Sequence, residues 1–238
     1  MAHNNYFQFK QFRIVQEQSA MKVGIDGVLL GAWANASTRG RILDVGTGTG
    51  VIALMMAQRS SAEITALEIE EKAASEAAAN VGASPWRNRV TVKTVSLQEF
   101  ASANLTQFDR IVSNPPFFTN ASKAASRART LARHSDSLPF SDLTSISADL
   151  LTSDGRLSVI LPVEQAVQFI DEGKKHGLHL VRLTKVSPCS LKKPHRYLME
   201  FSLRSGTLVT NELPIRNDDE KTYSSEYKAL CKDFYLLF

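Results

Sequence analysis

The chain has 238 residues, a formal net charge of +4 and a pI near 9.1. That length suits one α/β domain with additions, and the mild basicity is compatible with a polyanionic partner. No apolar run approaches a membrane span, residues 1–5 carry no basic-plus-apolar leader pattern, and Cys189 and Cys231 form no metal or redox spacing. The expectation is a cytoplasmic protein with free thiols, no metal and no membrane association.

Residues 21–33 come first in chain order. Val23, Val28, Leu29, Leu30 and Trp33 would make a packing helix in any domain. Packing does not account for Lys22 and Asp26, which flank Gly24. Residues 41–45 read as a buried strand and 50–59 as a helix. Between them, Asp44-Val45-Gly46-Thr47-Gly48-Thr49-Gly50 places three glycines where the backbone turns tightly and approaches a ligand. The helix start behind them offers N–H groups to polar or anionic atoms. The spacing is G-x-G-x-G, not the G-x-G-x-x-G of a dinucleotide site, which argues against a pyrophosphate ligand. Residues 63–68 form the next strand, ending at Glu68. A carboxylate there can grip a ribose diol. It can also simply open the alanine-rich helix of residues 70–81, since acids favour helix starts.

Residues 90–95 form a third strand, with Ser96 at its end, and 108–113 a fourth. The fourth runs into Asn114-Pro115-Pro116-Phe117. Two prolines end the strand in a rigid extended turn. Such a turn presents the Asn114 side-chain oxygen and the Pro115 carbonyl side by side, with an aromatic ring close by. That arrangement suits a planar amino group conjugated to a π-system, either an exocyclic base amine or a carboxamide. Basic residues follow closely: Lys123, Arg127, Arg129, Arg133 and His134. A second basic group is Arg182, Lys185, Lys192, Lys193, His195 and Arg196. Either group fits phosphate contacts, which supply affinity and position without reading base identity, or a solvated surface.

Helix at 140–151, strand at 156–161, helix at 164–175, and strands at 178–186 and 197–204 complete the alternation. Strands alternating with helices imply a mostly parallel sheet covered on both faces. The last two strands are joined by a loop without a helical crossover, which makes that pair antiparallel. Residues 205–238 read as a polar connection and an amphipathic tail. Its apolar residues, Tyr227, Leu230, Phe234 and Leu237, recur at helical spacing, so it is expected to pack on the domain. Ligands of such sheets bind at the carboxyl ends of the strands. Asp44 to Gly50, Glu68, Ser96 and Asn114 all fall at such ends.

Three segments carry a resemblance: residues 21–33, residues 43–50 with Glu68, and Val112-Ser113-Asn114-Pro115-Pro116-Phe117-Phe118. The chain resembles class I S-adenosylmethionine-dependent methyltransferases of the amino-methylating branch. More closely, it is similar to the bacterial tRNA1(Val) (adenine-37-N6)-methyltransferase family. The resemblance spans roughly residues 8 to 204 and implies a Rossmann-like α/β fold, with a seven-stranded, mostly parallel sheet and one antiparallel strand. It divides the chain into an extension (1–40) contributing to the cofactor site, a catalytic domain (41–204) and a tail (205–238).

The cofactor implied is S-adenosyl-L-methionine, held by Lys22, Asp26, Asp44, Gly46, Gly48, Gly50, Glu68, Ser96 and Asn114. Within that set, Lys22 lies near the methionine carboxylate and Asp26 orients it or caps the helix. Ser96 departs from the family pattern, which has an acid at that position for the adenine amine. Catalysis falls to Asn114, Pro115 and Phe117, the last stacking on the target base. RNA contacts fall to Lys123, Arg127, Arg129, Arg133, Lys192, Lys193 and Arg196. The partner implied is the anticodon loop of tRNA(Val), met by a monomer. Protein glutamine-N5 methylation and a non-catalytic RNA-binding role are the alternatives, with DNA adenine methylation a lesser one.

Overall fold

The structure is a computed structural model that describes residues 5–19, 22–36, 39–103, 106–116 and 138–238. Phe117, Lys123, Arg127, Arg129, Arg133 and His134 lie outside the described residues.

An antiparallel hairpin opens the chain, β1 (Tyr6–Gln8) with β2 (Arg13–Val15). Helix α1 (Ile25–Trp33) follows and lies against α2 (Val51–Arg59). Glycine makes that approach possible. A methyl group at Gly31 would stand 2.8 Å from the Met55 sulfur, and one at Gly27 would stand 3.3 Å from Val51.

The central sheet contains β3 (Arg41–Val45), β4 (Glu63–Glu68), β5 (Val90–Thr94), β6 (Phe108–Ser113), β7 (Leu151–Pro162), β8 (His179–Cys189), β9 (Arg196–Ser202) and β10 (Val209–Arg216). Its order is β10-β8-β9-β7-β6-β3-β4-β5. Strand β9 runs antiparallel to both β7 and β8, and the remaining pairs are parallel.

The strands alternate between two cores, as a period of two requires. Ile42, Val112, Ile160 and Leu198 face the core built with α1 and α2. Leu43, Ile111, Val159 and Met199 face the other. That second core is covered by α4 (Leu97–Ser102), α5 (Phe140–Leu150) and α6 (Val163–Lys175). Helix α3 (Glu71–Gly82) packs along β5 and adds Val81 to the first core. Among the described residues, no helix is long and apolar enough to cross a membrane.

The fold class matches the expectation, but the sheet has eight strands where the reading gave seven. The additional strand, β10, comes from residues read as a polar connection. It pairs in parallel with β8 at the sheet edge, where Pro214 is tolerated because one side of the strand needs no ladder partner. Only Leu213 and Ile215 of this strand are buried apolar residues, and residues 209–212 are exposed, so the alternation is too short to read. The tail forms a helix, α7 (Ser225–Cys231), shorter than its spacing implied. Tyr227 and Phe234 are buried there, whereas Leu237 is 89% exposed.

Candidate active site

The carboxyl ends of β3, β4, β5 and β6 surround a cavity of about 630 Å³, within the range of about 300–1,000 Å³ typical of small-molecule sites. After β3 the chain enters the glycine loop. Gly46 and Gly48 line the cavity with φ of 70° and 54°, and a side chain at either would project into open space. Both need the left-handed region that glycine alone enters freely. The loop is tied to β4: Gly46 and Thr47 donate to the Leu67 carbonyl at 2.9 Å each.

Glu68 ends β4 and lines the cavity. Its carboxylate accepts the Gly48 N–H at 2.9 Å and the Glu70 N–H at 3.1 Å. The second strand end is thereby joined to the first. Leu67, Ile69, Val95 and Leu97 supply an apolar wall beside it, and Ile69 is half exposed despite its size.

Asp44 is fully buried beneath the glycine loop and does not line the cavity. Its carboxylate accepts from the Thr47 hydroxyl at 2.5 Å and the Ala53 N–H at 3.1 Å. Burial pushes its pKa up to about 7; these two bonds oppose that shift, and the nearby Glu68 charge adds to it. Asp44 thus fastens the loop to the start of α2. Gly50 also lies outside the cavity wall and caps α2 with φ of 84°.

Ser96 lines the cavity, but its hydroxyl is engaged in starting α4. It accepts the Glu99 N–H at 3.1 Å and donates to the Glu99 carboxylate at 2.7 Å. The Ser96 backbone N–H donates to that carboxylate at 3.2 Å, completing a capping box. The hydroxyl and N–H of Ser96 hold the Glu99 carboxyl below its usual range.

Asn114 lines the cavity where β6 ends. Its side-chain oxygen is buried and has no hydrogen-bond partner among the described residues. A buried acceptor of this kind is rare, because each unmade bond costs about 1–3 kcal/mol. Pro115 is buried behind it and Pro116 is exposed on the wall.

The remaining sequence-singled residues lie elsewhere. Lys22 is exposed and does not line the cavity. Asp26 pairs with Arg196 at 2.9 Å, joining a residue expected at the cofactor to one expected at RNA. Lys192 pairs with Glu220 at 2.5 Å, and Lys193 is exposed on the same β8–β9 turn.

Residues the sequence reading did not single out complete the wall, among them Gln18, Ser19, Ile69, Gln98 and Leu138. Ile69 had a signal, an apolar side chain immediately after the acid of β4. Helix α4 had another, the Ser-x-x-Glu pattern of residues 96–99.

The methyltransferase small domain family model matches residues 21–168. A tRNA1(Val) (adenine(37)-N6)-methyltransferase of Trichodesmium erythraeum is 46% identical, with 98% of this chain and 99% of the relative covered. One of Phocaeicola vulgatus is 44% identical, with 98% of each covered. Among solved structures, a predicted O-methyltransferase of Agrobacterium tumefaciens matches with a TM-score of 0.68 at 19% identity, covering 88% of this chain and 96% of the other. The ribosomal protein L11 methylase of Lactobacillus delbrueckii matches with a TM-score of 0.52 at 15% identity, covering 74% and 76%. These two likenesses concern the fold. Family model, full-length relatives and the glycine-loop cavity agree: the chain is a methyltransferase and belongs to the tRNA1(Val) (adenine(37)-N6)-methyltransferase family.

Proposed function

We propose that the enzyme transfers a methyl group from S-adenosyl-L-methionine to the exocyclic N6 amine of adenosine 37 in tRNA1(Val). The observation that carries this reading is the buried, unpartnered Asn114 oxygen in the cavity wall beside the glycine loop.

The cofactor fits the residues present. Gly46 and Gly48 leave open space where side chains would intrude. Glu68 offers acceptors for a ribose diol, and the apolar wall suits a flat heterocycle. Asp44 and Gly50 act indirectly by shaping the loop. Ser96 shapes the wall through its capping box, which engages both its hydroxyl and its backbone N–H. Asp26 is paired to Arg196, and Lys22 is the cation for the methionine carboxylate.

When bound, S-adenosylmethionine supplies a methyl group already activated by its sulfonium. The protein's task is then alignment. An adenine amine is a weak nucleophile because its lone pair is delocalised into the ring. Asn114 and the Pro115 carbonyl accept its two N–H bonds and favour a pyramidal nitrogen as the new bond forms. Phe117 stacks on the base, a contact worth about 1–3 kcal/mol in single-strand recognition. Positioning of this kind contributes roughly 7–11 kcal/mol in oriented reactions. The amine proton leaves after transfer, so no strong base is needed. Adenosine 37 lies in a single-stranded loop, where extrusion costs less than from a duplex. Lys123, Arg127, Arg129 and Arg133, with Lys192, Lys193 and Arg196, meet the phosphates. The enzyme acts as a monomer in the cytoplasm.

The test is tritiated-methyl transfer to undermodified total tRNA, followed by nucleoside analysis. A labelled N6-methyladenosine peak that disappears in Asn114→Ala supports the reading. Label in a protein fraction in place of tRNA would transfer the site to a glutamine substrate.

A further inference from the structure

Gln18 and Ser19 stand in the cavity wall although they precede the glycine loop by almost thirty residues. Helix α3 holds them there. The Glu76 carboxylate accepts three consecutive backbone N–H groups, from Glu17 at 2.5 Å, Gln18 at 2.7 Å and Ser19 at 3.1 Å. One turn further along, Asn80 accepts the Val15 N–H at 2.8 Å. Its amide donates to the Val15 carbonyl and to the Thr49 carbonyl, at 2.9 Å each. One side chain therefore joins the N-terminal segment to the glycine loop. Gln16 closes the segment from the other side by accepting the Val23 N–H at 2.9 Å.

Both gripping residues are buried, Glu76 at 7% and Asn80 at 2% exposure, on the face of α3 that otherwise carries Ala73, Ala77 and Val81. Polar groups in such places are costly unless fully bonded. Burial alone would raise the Glu76 pKa, but the Ser19 hydroxyl beside it and the N–H groups it accepts bring it below the usual range, so the carboxylate is charged at neutral pH. The Asn80–Val15 pairing reaches the end of the hairpin itself, because β2 ends at Val15. Glu76 grips the residues beyond the hairpin, which have no strand partner, and two of these three line the cavity.

We propose that Glu76 and Asn80 are positioning residues of the cofactor site. They hold residues 15–19 as a strap beside the glycine loop, so that Gln18 and Ser19 close the cavity over the bound cofactor. The inference rests on the cofactor reading given above.

The test is calorimetric titration with S-adenosylhomocysteine, the demethylated product, alongside melting of the ligand-free protein and steady-state kinetics. Glu76→Gln keeps the shape but places an amide NH2 against backbone donors. Its Kd should rise about tenfold, as expected for loss of charge-assisted hydrogen bonds. The kinetic effect should fall on KM for the cofactor more than on kcat, and Glu76→Asp should recover part of it. A folded Glu76→Gln with a lower melting temperature but an unchanged Kd would overturn the proposal, since a merely structural anchor predicts that result. Should Glu76→Gln not fold, the Gln18→Ala/Ser19→Ala double variant decides. It leaves the three backbone N–H bonds to Glu76 in place and should weaken binding several-fold, and an unchanged Kd overturns the proposal. Failure of the wild-type protein to bind would overturn the cofactor reading and the inference with it; normal wild-type binding with unchanged variants overturns the inference alone.

Discussion

The two halves of the sheet's carboxyl edge handle polar groups in opposite ways. At the ends of β3, β4 and β5, side chains are bonded to the backbone of adjacent loops and helices. Asp44 holds Ala53, Glu68 holds Gly48 and Glu70, and Ser96 holds Glu99. At the ends of β8 and β9, charged groups pair with each other across the surface, Arg196 with Asp26 and Lys192 with Glu220. The first pattern fixes geometry before a ligand arrives, which lowers the entropy lost on binding. In the second, the Lys192–Glu220 pair is exchangeable, because exposed ion pairs contribute about 0–1 kcal/mol and are screened by salt, whereas Arg196–Asp26 is partly buried. A small cofactor suits the first half, and a polyanion that displaces one partner of an ion pair suits the second. Asn114 stands between them with its oxygen unpartnered among the described residues.

The largest effect should come at that boundary. Asn114→Ala should lower kcat by about a hundredfold or more, the scale seen when one polar group aimed at a reacting centre is removed. Cofactor Kd, measured by titration, should change far less. Proportional loss of both would erase the division drawn here. Next in size is Glu68→Ala, which removes the acceptor proposed for the ribose and the restraint on Gly48. Cofactor Kd should rise about tenfold to a hundredfold, with KM for tRNA much less affected. A larger shift in tRNA KM than in cofactor Kd would place Glu68 in the wrong half.

Lys193→Ala should raise tRNA Kd several-fold and lower the slope of log Kd against log salt by about one, as for loss of a single phosphate contact. Filter binding across a salt series reads both quantities, and an unchanged slope would remove Lys193 from the interface. The smallest effect concerns Asp44. Folded, its carboxyl keeps a proton up to about pH 7, against 3.8 for the ordinary group. Between those values the folded state binds more protons than the unfolded state, so this group's contribution to stability declines as pH rises and levels off above about 7. Asp44→Asn retains an acceptor for Thr47 and Ala53 but does not titrate. Its melting temperature should therefore decline less than that of wild type across this window, and parallel curves would refute the assignment.

The parts legible in the sequence were those encoded by local period and backbone chemistry. Short apolar runs at β3, β6 and β7, alternating with helical stretches, revealed the sheet, and the glycines after Val45 and the prolines after Asn114 marked two of its active ends. Short elements escaped: β1 and β2 have three residues each, too few for a period to register. Asp26 and Arg196 each looked available for a ligand, and no spacing rule finds partners 170 positions apart. Ser96 was expected at the cofactor, whereas the glutamate three residues later marked it as a helix cap. Glu76 was overlooked in an alanine-rich helix. The visible clue was a carboxylate on the buried face, which must find several donors to remain there.

The hairpin that leads into the strap is itself fastened to the last residues of the chain. The Lys10 ammonium donates to the carbonyls of Lys232 at 2.6 Å and Phe238 at 2.5 Å, and the Lys10 N–H donates to the Phe234 carbonyl at 2.8 Å. Tyr235 packs its ring against Phe7 and Phe9. During synthesis, which proceeds at about 5–20 residues per second, these contacts cannot form until residues 232–238 have been translated and have left the ribosome. The sheet ends can assemble earlier, but the hairpin must wait for its distant partners. A nascent chain would therefore complete its glycine loop, and the grip of α3 on the segment beside it, well before the hairpin is fastened at its far side.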